Sequence, residues 1–85
     1  MDKIIVEVKC PASVKSYEFR ISKRLPVSEG MRKIISEIRD FEQNERIFSM
    51  DNGLSLFCAR LGSILNTEMS FEENGVKGGD MLMII

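Results

Sequence analysis

The chain has 85 residues, 44% of them hydrophobic and 29% charged, with two prolines and a formal net charge of −1; this composition describes one compact domain over residues 1–85 and excludes a disordered tail. Histidine is absent, and Cys10 and Cys58 lie far apart outside any CxxC spacing, so neither a zinc site nor a haem-attachment motif can be assembled and free thiols are expected. Nine Lys and Arg stand against five Asp and Glu in residues 1–39, and three against eight in residues 40–85, giving +4 and −5: a dipolar split, too weak by itself to imply nucleic acid or anionic lipid.

Residues 1–9 (MDKIIVEVK) carry charge inside their apolar stretch and no small-residue cleavage site, so they do not read as a signal peptide. No apolar run approaches the ~20 residues that a membrane span needs, and a cytoplasmic location is expected. Residues 3–9 alternate, with Ile4, Val6 and Val8 on one face and Lys3, Glu7 and Lys9 on the other, which predicts a half-buried strand. Residues 10–16 hold a proline among small polar residues and predict a reversal, and residues 17–22 alternate again through Tyr17, Phe19 and Ile21, completing a hairpin. After a loop at residues 23–26, Pro26 is placed just inside a helix start, where its missing N–H would lack a partner anyway.

Across residues 27–41, Val27, Met31, Ile34, Ile35, Ile38 and Phe41 share one helical face, while Glu29, Arg32, Lys33, Glu37, Arg39 and Asp40 take the other. Gly30 in the first turn costs about 0.5 to 1 kcal/mol relative to alanine, so either its backbone packs closely against something or the helix start frays. Residues 42–53 carry Ile47, Phe48 and Met50, which need cover, and a turn signal at Asp51, Asn52 and Gly53. Residues 54–59 alternate, with Leu54, Leu56 and Cys58 on one face and Ser55, Phe57 and Ala59 on the other, a third strand; residues 63–65 make a short fourth.

Ser70 and Glu73 have the spacing of a capping box, Asn74-Gly75 stops the resulting one-turn helix, and Gly78-Gly79-Asp80 supply a second reversal. Residues 81–85 are an apolar run too short for a helix and are expected to form a central strand covered on both faces. The predicted core comprises Ile4, Val6, Val8, Phe19, Ile21, Val27, Met31, Ile34, Ile38, Leu56, Cys58, Leu65, Phe71, Val76, Leu82 and Ile84.

This order of elements, with residues 56–85 (LFCARLGSILNTEMSFEENGVKGGDMLMII), resembles the ubiquitin-like pattern of strand, Gly turn, a short polar link, and a Gly-Asp corner before an apolar strand. Pro26-Val27 at the helix start and Gly75 with Gly78-Gly79-Asp80 resemble, within that superfamily, the bacterial YukD and EsaB type encoded with type VII (WXG-type) secretion systems. The resemblance implies an α+β β-grasp fold, a mixed sheet of four or five strands packed on one long helix with a short one-turn helix. It implies a non-enzymatic cytoplasmic accessory of a secretion machine, with a protein partner and no cofactor or metal. Ubiquitin and the sulfur carriers need a flexible tail ending in Gly-Gly, whereas here Gly78-Gly79 precedes a core strand in which the chain ends, so a non-conjugating role is expected.

Phe57 and Ala59 are expected on the outer sheet face, the usual recognition surface of ubiquitin-like proteins, as the centre of a protein-binding patch. Met31, Met50, Met69, Met81 and Met83 could form a pliable binding surface, but core filling accounts for most of them. The alternative function is a nucleic-acid-binding β-grasp module using a basic patch of Lys15, Lys23, Arg24, Arg32 and Lys33, although no aromatic residues are interleaved with those charges. An enzyme is the weakest class, since Glu7, Asp80 and Cys58 have no evident activating partner. An exposed strand edge would let two copies pair into a homodimer.

Overall fold

The computed structural model describes residues 2–10, 15–42 and 54–85. The predicted reversal at 10–16 falls partly, and the segment 42–53 with Ile47, Phe48 and Met50 almost wholly, outside the described residues. The elements follow the expected order: β1 (Lys3–Lys9), β2 (Ser16–Ser22), α1 (Val27–Glu42), β3 (Leu56–Cys58), β4 (Ser63–Ile64) and β5 (Met81–Ile84). They build one mixed five-stranded sheet in the order β2-β1-β5-β3-β4. β5 runs parallel to β1 and antiparallel to β3, so it joins two antiparallel pairs that would otherwise share no edge.

The core lies between the sheet and α1. Val6, Val8, Leu56, Cys58, Leu82 and Ile84 reach it from the strands, and Val27, Ile34 and Ile38 from the helix; each is at most 1% exposed. Cys10 and Ile35 join this core beyond expectation, whereas Ile4 is only partly buried against it. Both cysteines are free and buried. Phe41, the last apolar position of the helical stripe, has outrun the core: it is 68% exposed and meets Tyr17 edge-on at a centroid distance of 5.7 Å.

The start of α1 answers the question posed by Gly30. A Cβ there would overlap the ring of Phe71, reaching to 2.7 Å from Cζ, so the glycine is a close approach and not a frayed end. Pro26 sits one place earlier than expected: its carbonyl accepts the N–H groups of Glu29 and Gly30, which makes it the residue before the first helical turn. The next two free amides are taken by the distant loop, Val27 donating to Met69 O at 2.9 Å and Ser28 to Thr67 O at 3.0 Å. Phe71 N–H donates back to Leu25 O at 3.3 Å.

The capping box forms as expected, Ser70 N–H donating to Glu73 Oε1 at 2.9 Å and Glu73 N–H to Ser70 Oγ at 3.0 Å. What it opens, however, is a single turn and not a helix. Gly75, at φ 91°, lets Val76 N–H reach Phe71 O and Gly75 N–H reach Glu72 O, the paired bonds of a helix C-terminus closing immediately on the N-cap.

A second tie fixes β5. Asp80 is 7% exposed, and Arg60 grips its carboxylate with both prongs, Nε to Oδ1 at 2.8 Å and Nη2 to Oδ2 at 2.9 Å. The same Nη2 donates to Gly75 O, and Lys77 N–H donates to Asp80 Oδ2 at 2.8 Å. Asp80 O accepts Glu7 N–H at 3.0 Å, and Gly79, at φ 90°, donates its N–H to Ile5 O at 2.7 Å. The corner before β5 is thereby tied to β1 on one side and to the turn after β3 on the other. The Arg60 guanidinium holds Asp80 below the usual carboxylate range, helped by the Lys77 amide and opposed by burial.

Both ties can be tested by substitution. Gly30→Ala should destabilise the protein by about 1 to 3 kcal/mol in urea unfolding, because overpacking against Phe71 outweighs the roughly 1 kcal/mol gain in helix propensity. Asp80→Asn should cost about 2 kcal/mol at neutral pH. A carboxylate whose folded pKa is depressed contributes stability that is present above its unfolded value, near 4, and is lost as pH falls through the lower folded value. Wild-type stability should therefore fall in acid below about pH 4, and the Asp80→Asn variant should show a flatter acid limb in the same unfolding series.

Candidate protein-interaction surface

The face of the sheet turned away from α1 divides into two halves, and strand register determines where each residue falls. Directly paired residues share a face, so Ser16, Lys9, Met83, Phe57 and Ile64 form one row across all five strands. The next row holds Glu18, Glu7 and Met81, and continues to Ala59, whose N–H donates to Met81 O at 3.1 Å. Ser55 and Ile85 exchange both backbone hydrogen bonds, at 3.0 and 2.9 Å, which extends β5 by one residue on the same side. The β2–β1 half is thus polar except for Ile5, 47% exposed, and the β5–β3–β4 half is apolar.

Phe57 and Ala59 stand where they were expected, on the outer face, with Phe57 half-buried between its row neighbours and Ala59 exposed. The larger part of the apolar half is made by Ile64, 56% exposed, Ile85, 47% exposed, and Met83, 37% exposed. β5 is therefore covered on one face only, contrary to the expectation of a doubly covered strand. Its alternation of Leu82 and Ile84 inward with Met81, Met83 and Ile85 outward is hidden in the sequence, because every residue of the run is apolar. Of the methionines, Met31 fills the core, while Met69 and Met83 are exposed and Met81 is half-buried; Met50 lies outside the described residues.

Charge borders this patch without entering it. On the β1 side Lys9 is exposed and Glu7 accepts a hydrogen bond from Ser16 Oγ at 2.8 Å. On the other margin Arg60 is committed to Asp80. An apolar centre with a charged rim is the usual build of a protein recognition surface. Cys58 is buried, and its Sγ donates to Asp80 Oδ2 at 3.9 Å, the carboxylate that Arg60 already holds.

The five residues of the basic alternative are not brought together. Lys15 and Lys23 stand beyond opposite ends of β2, about 26 Å apart at the rise of an extended strand. Lys23 is paired with Glu72, at 3.8 Å. Arg32 lines a groove with Leu54 and Thr67 on one flank of α1, while Lys33 lines another with Tyr17 and Phe19 on the opposite flank. Arg24 is exposed in the loop beyond β2. No described helix is long and apolar enough to cross a membrane.

No family model matches the chain, and no curated protein matches it. Solved structures do. The ubiquitin-like domain of the Mycobacterium tuberculosis type VII secretion system protein EccD1 matches at a TM-score of 0.75 and 14% identity, over 100% of this chain and 99% of that one. The EccD5 ubiquitin-like domain from Mycobacterium xenopi matches at 0.78 and 13%, over 100% and 94%. A chain of the MycP5-free ESX-5 inner membrane complex matches at 0.74 and 20%, over 100% of this chain and 21% of that much longer one. Ubiquitin-like domains whose names mention no secretion system match as well. With the element order, sheet topology and single long helix, these likenesses give the chain the α+β ubiquitin-like β-grasp fold, its mixed sheet having five strands.

Proposed function

We propose that this chain is a non-enzymatic, non-conjugating ubiquitin-like interaction module that docks a protein component of a type VII-like secretion system in the cytoplasm. The observation that carries the reading is the continuous apolar row Ile64, Phe57 and Met83, with Ile85 beside it, on the sheet face opposite the helix. Three large exposed or half-exposed side chains in one row form a contiguous patch, where singly scattered apolar residues would carry no meaning. The secretion context is supported by the likeness to the EccD1 and EccD5 domains and to the ESX-5 inner membrane complex. The non-conjugating part is supported by Gly78 and Gly79, which are held in the turn that sets β5 against β1, Gly79 through its bond to Ile5. Whether a YukD-type or an EccD-type relative is nearer does not alter the mechanism, which is burial of a small apolar centre inside a ring of Lys9, Glu7 and Arg60.

The test is co-purification from the native host with secretion-machine components quantified by mass spectrometry. Phe57→Ser and Met83→Ser should each reduce recovery of those components about tenfold, the effect expected of losing a central apolar anchor worth about 1.4 kcal/mol. Lys33→Glu, on the far side of the domain, should leave it unchanged. Equal recovery with wild type and Phe57→Ser, both folded by circular dichroism, would remove the outer face from the reading.

A further inference from the structure

Among the described residues the sheet has two free edges, and they differ in kind. β4 is two residues long and offers almost nothing to pair with. β2 has seven residues, no proline and no bulge, every one of them in register with β1. β5, by contrast, lies between β1 and β3, so the edge available to a second copy is not the closing strand.

The backbone of β2 specifies what it can accept. Lys23 N–H donates to Asp2 O at 2.7 Å, and because hydrogen-bonded pairs alternate in an antiparallel ladder, the pairs bonded to β1 are those of Tyr17, Phe19 and Ile21. The opposite phase of β1 agrees, since Glu7 and Ile5 bond to the corner before β5. The N–H and C=O groups of Glu18 and Arg20 therefore point outward, and no described residue takes them. Ser22 O already accepts Leu25 N–H at 3.1 Å and ends the pairable stretch.

A two-fold axis must match these outward-facing residues with one another. An axis at Glu18 would set two carboxylates face to face, and one at Arg20 would oppose two guanidiniums, both destabilising. An axis through Phe19 sets Glu18 against Arg20 of the second copy on both sides, with each pair exchanging both backbone hydrogen bonds. Tyr17 then lies opposite Ile21 and Ser16 opposite Ser22. The strand reads Ser-Tyr-Glu-Phe-Arg-Ile-Ser, self-complementary in charge and in polarity about its centre. Glu18 and Arg20 are both exposed, so their side chains are free to meet at the junction.

We propose that the chain forms a two-fold dimer by antiparallel pairing of β2 with β2 of a second copy, centred on Phe19. The product is a continuous ten-stranded sheet, two copies of the five-stranded one. β1 and β5 separate this edge from Phe57, so the dimer presents both apolar patches at once.

Sedimentation equilibrium over a concentration series tests it. Wild type should dimerise. Glu18→Arg and Arg20→Glu each turn two attractive cross-strand pairs into repulsive ones, and each should raise the dimer dissociation constant about tenfold. An equimolar mixture of the two single variants should recover wild-type association, since the all-basic edge of one then faces the all-acidic edge of the other. The double exchange, Glu18→Arg with Arg20→Glu, should recover it too. Phe57→Ser should leave the dimer intact. A wild-type chain that stays monomeric at millimolar concentration overturns the proposal. So does a dimer indifferent to the single exchanges, a mixture that fails to restore association, or a dimer lost with Phe57→Ser.

Discussion

The close approach of Phe71 to Gly30 is the contact on which the rest of the structure depends. The ring occupies the space that any side chain at position 30 would need, and it is fully buried there. Around it, carbonyls of Thr67 and Met69 accept the free amides at the start of α1, and the amides of Phe71 and Glu72 donate in return to Leu25 O and Lys23 O in the loop before it. This clasp fixes the distance between the helix and the closing third of the chain. Without it the capped turn at Ser70 would have no anchor, and the corner at Gly75 through Asp80 would have no fixed starting point from which to deliver β5 into the sheet.

Delivery is completed electrostatically. Asp80 is a buried carboxylate whose charge is matched by a guanidinium that keeps one side in water, an arrangement that limits the desolvation cost which a fully buried pair incurs. Its bonds reach three separate segments, at Arg60, Lys77 and Glu7. The same tie holds Arg60 at the margin of the apolar patch, so the groups that secure the strand also set the border of the surface it displays. Stability and recognition are in this sense built from one set of residues.

Much of the architecture was legible because local signals agreed. The alternation of Ile4, Val6 and Val8, the helical stripe from Val27 to Ile38, and the Ser70–Glu73 spacing each encode a face or a cap within a few residues. The losses came where the deciding partner lies far away. Gly30 is intelligible only with Phe71, and no pattern near either residue announces the other. In residues 81–85 periodicity is silent, since a run of uniformly apolar residues has no polar phase by which to tell its two faces apart; Met83 and Ile85 were consequently missed as surface residues. The basic residues looked like a group along the chain, yet β2 and α1 carry them to different sides.

The central place of β5 also governs how the chain must fold. Its pairing with β1 joins residues 7–9 to residues 81–83, the longest-range pairing in the sheet, and among the described residues the β2–β1 and β3–β4 pairs have no other bridge. Such non-local pairing slows folding because loop closure precedes the contacts that reward it. During synthesis the N-terminal hairpin and helix therefore emerge with an uncovered Phe71 site, open until residue 71 has left the ribosome, and with an unpaired β1 edge, open until residues 81–84 have followed. Over that interval a nascent chain would depend on the brevity of its own translation, or on a chaperone, to keep the open edge of β1 from pairing elsewhere.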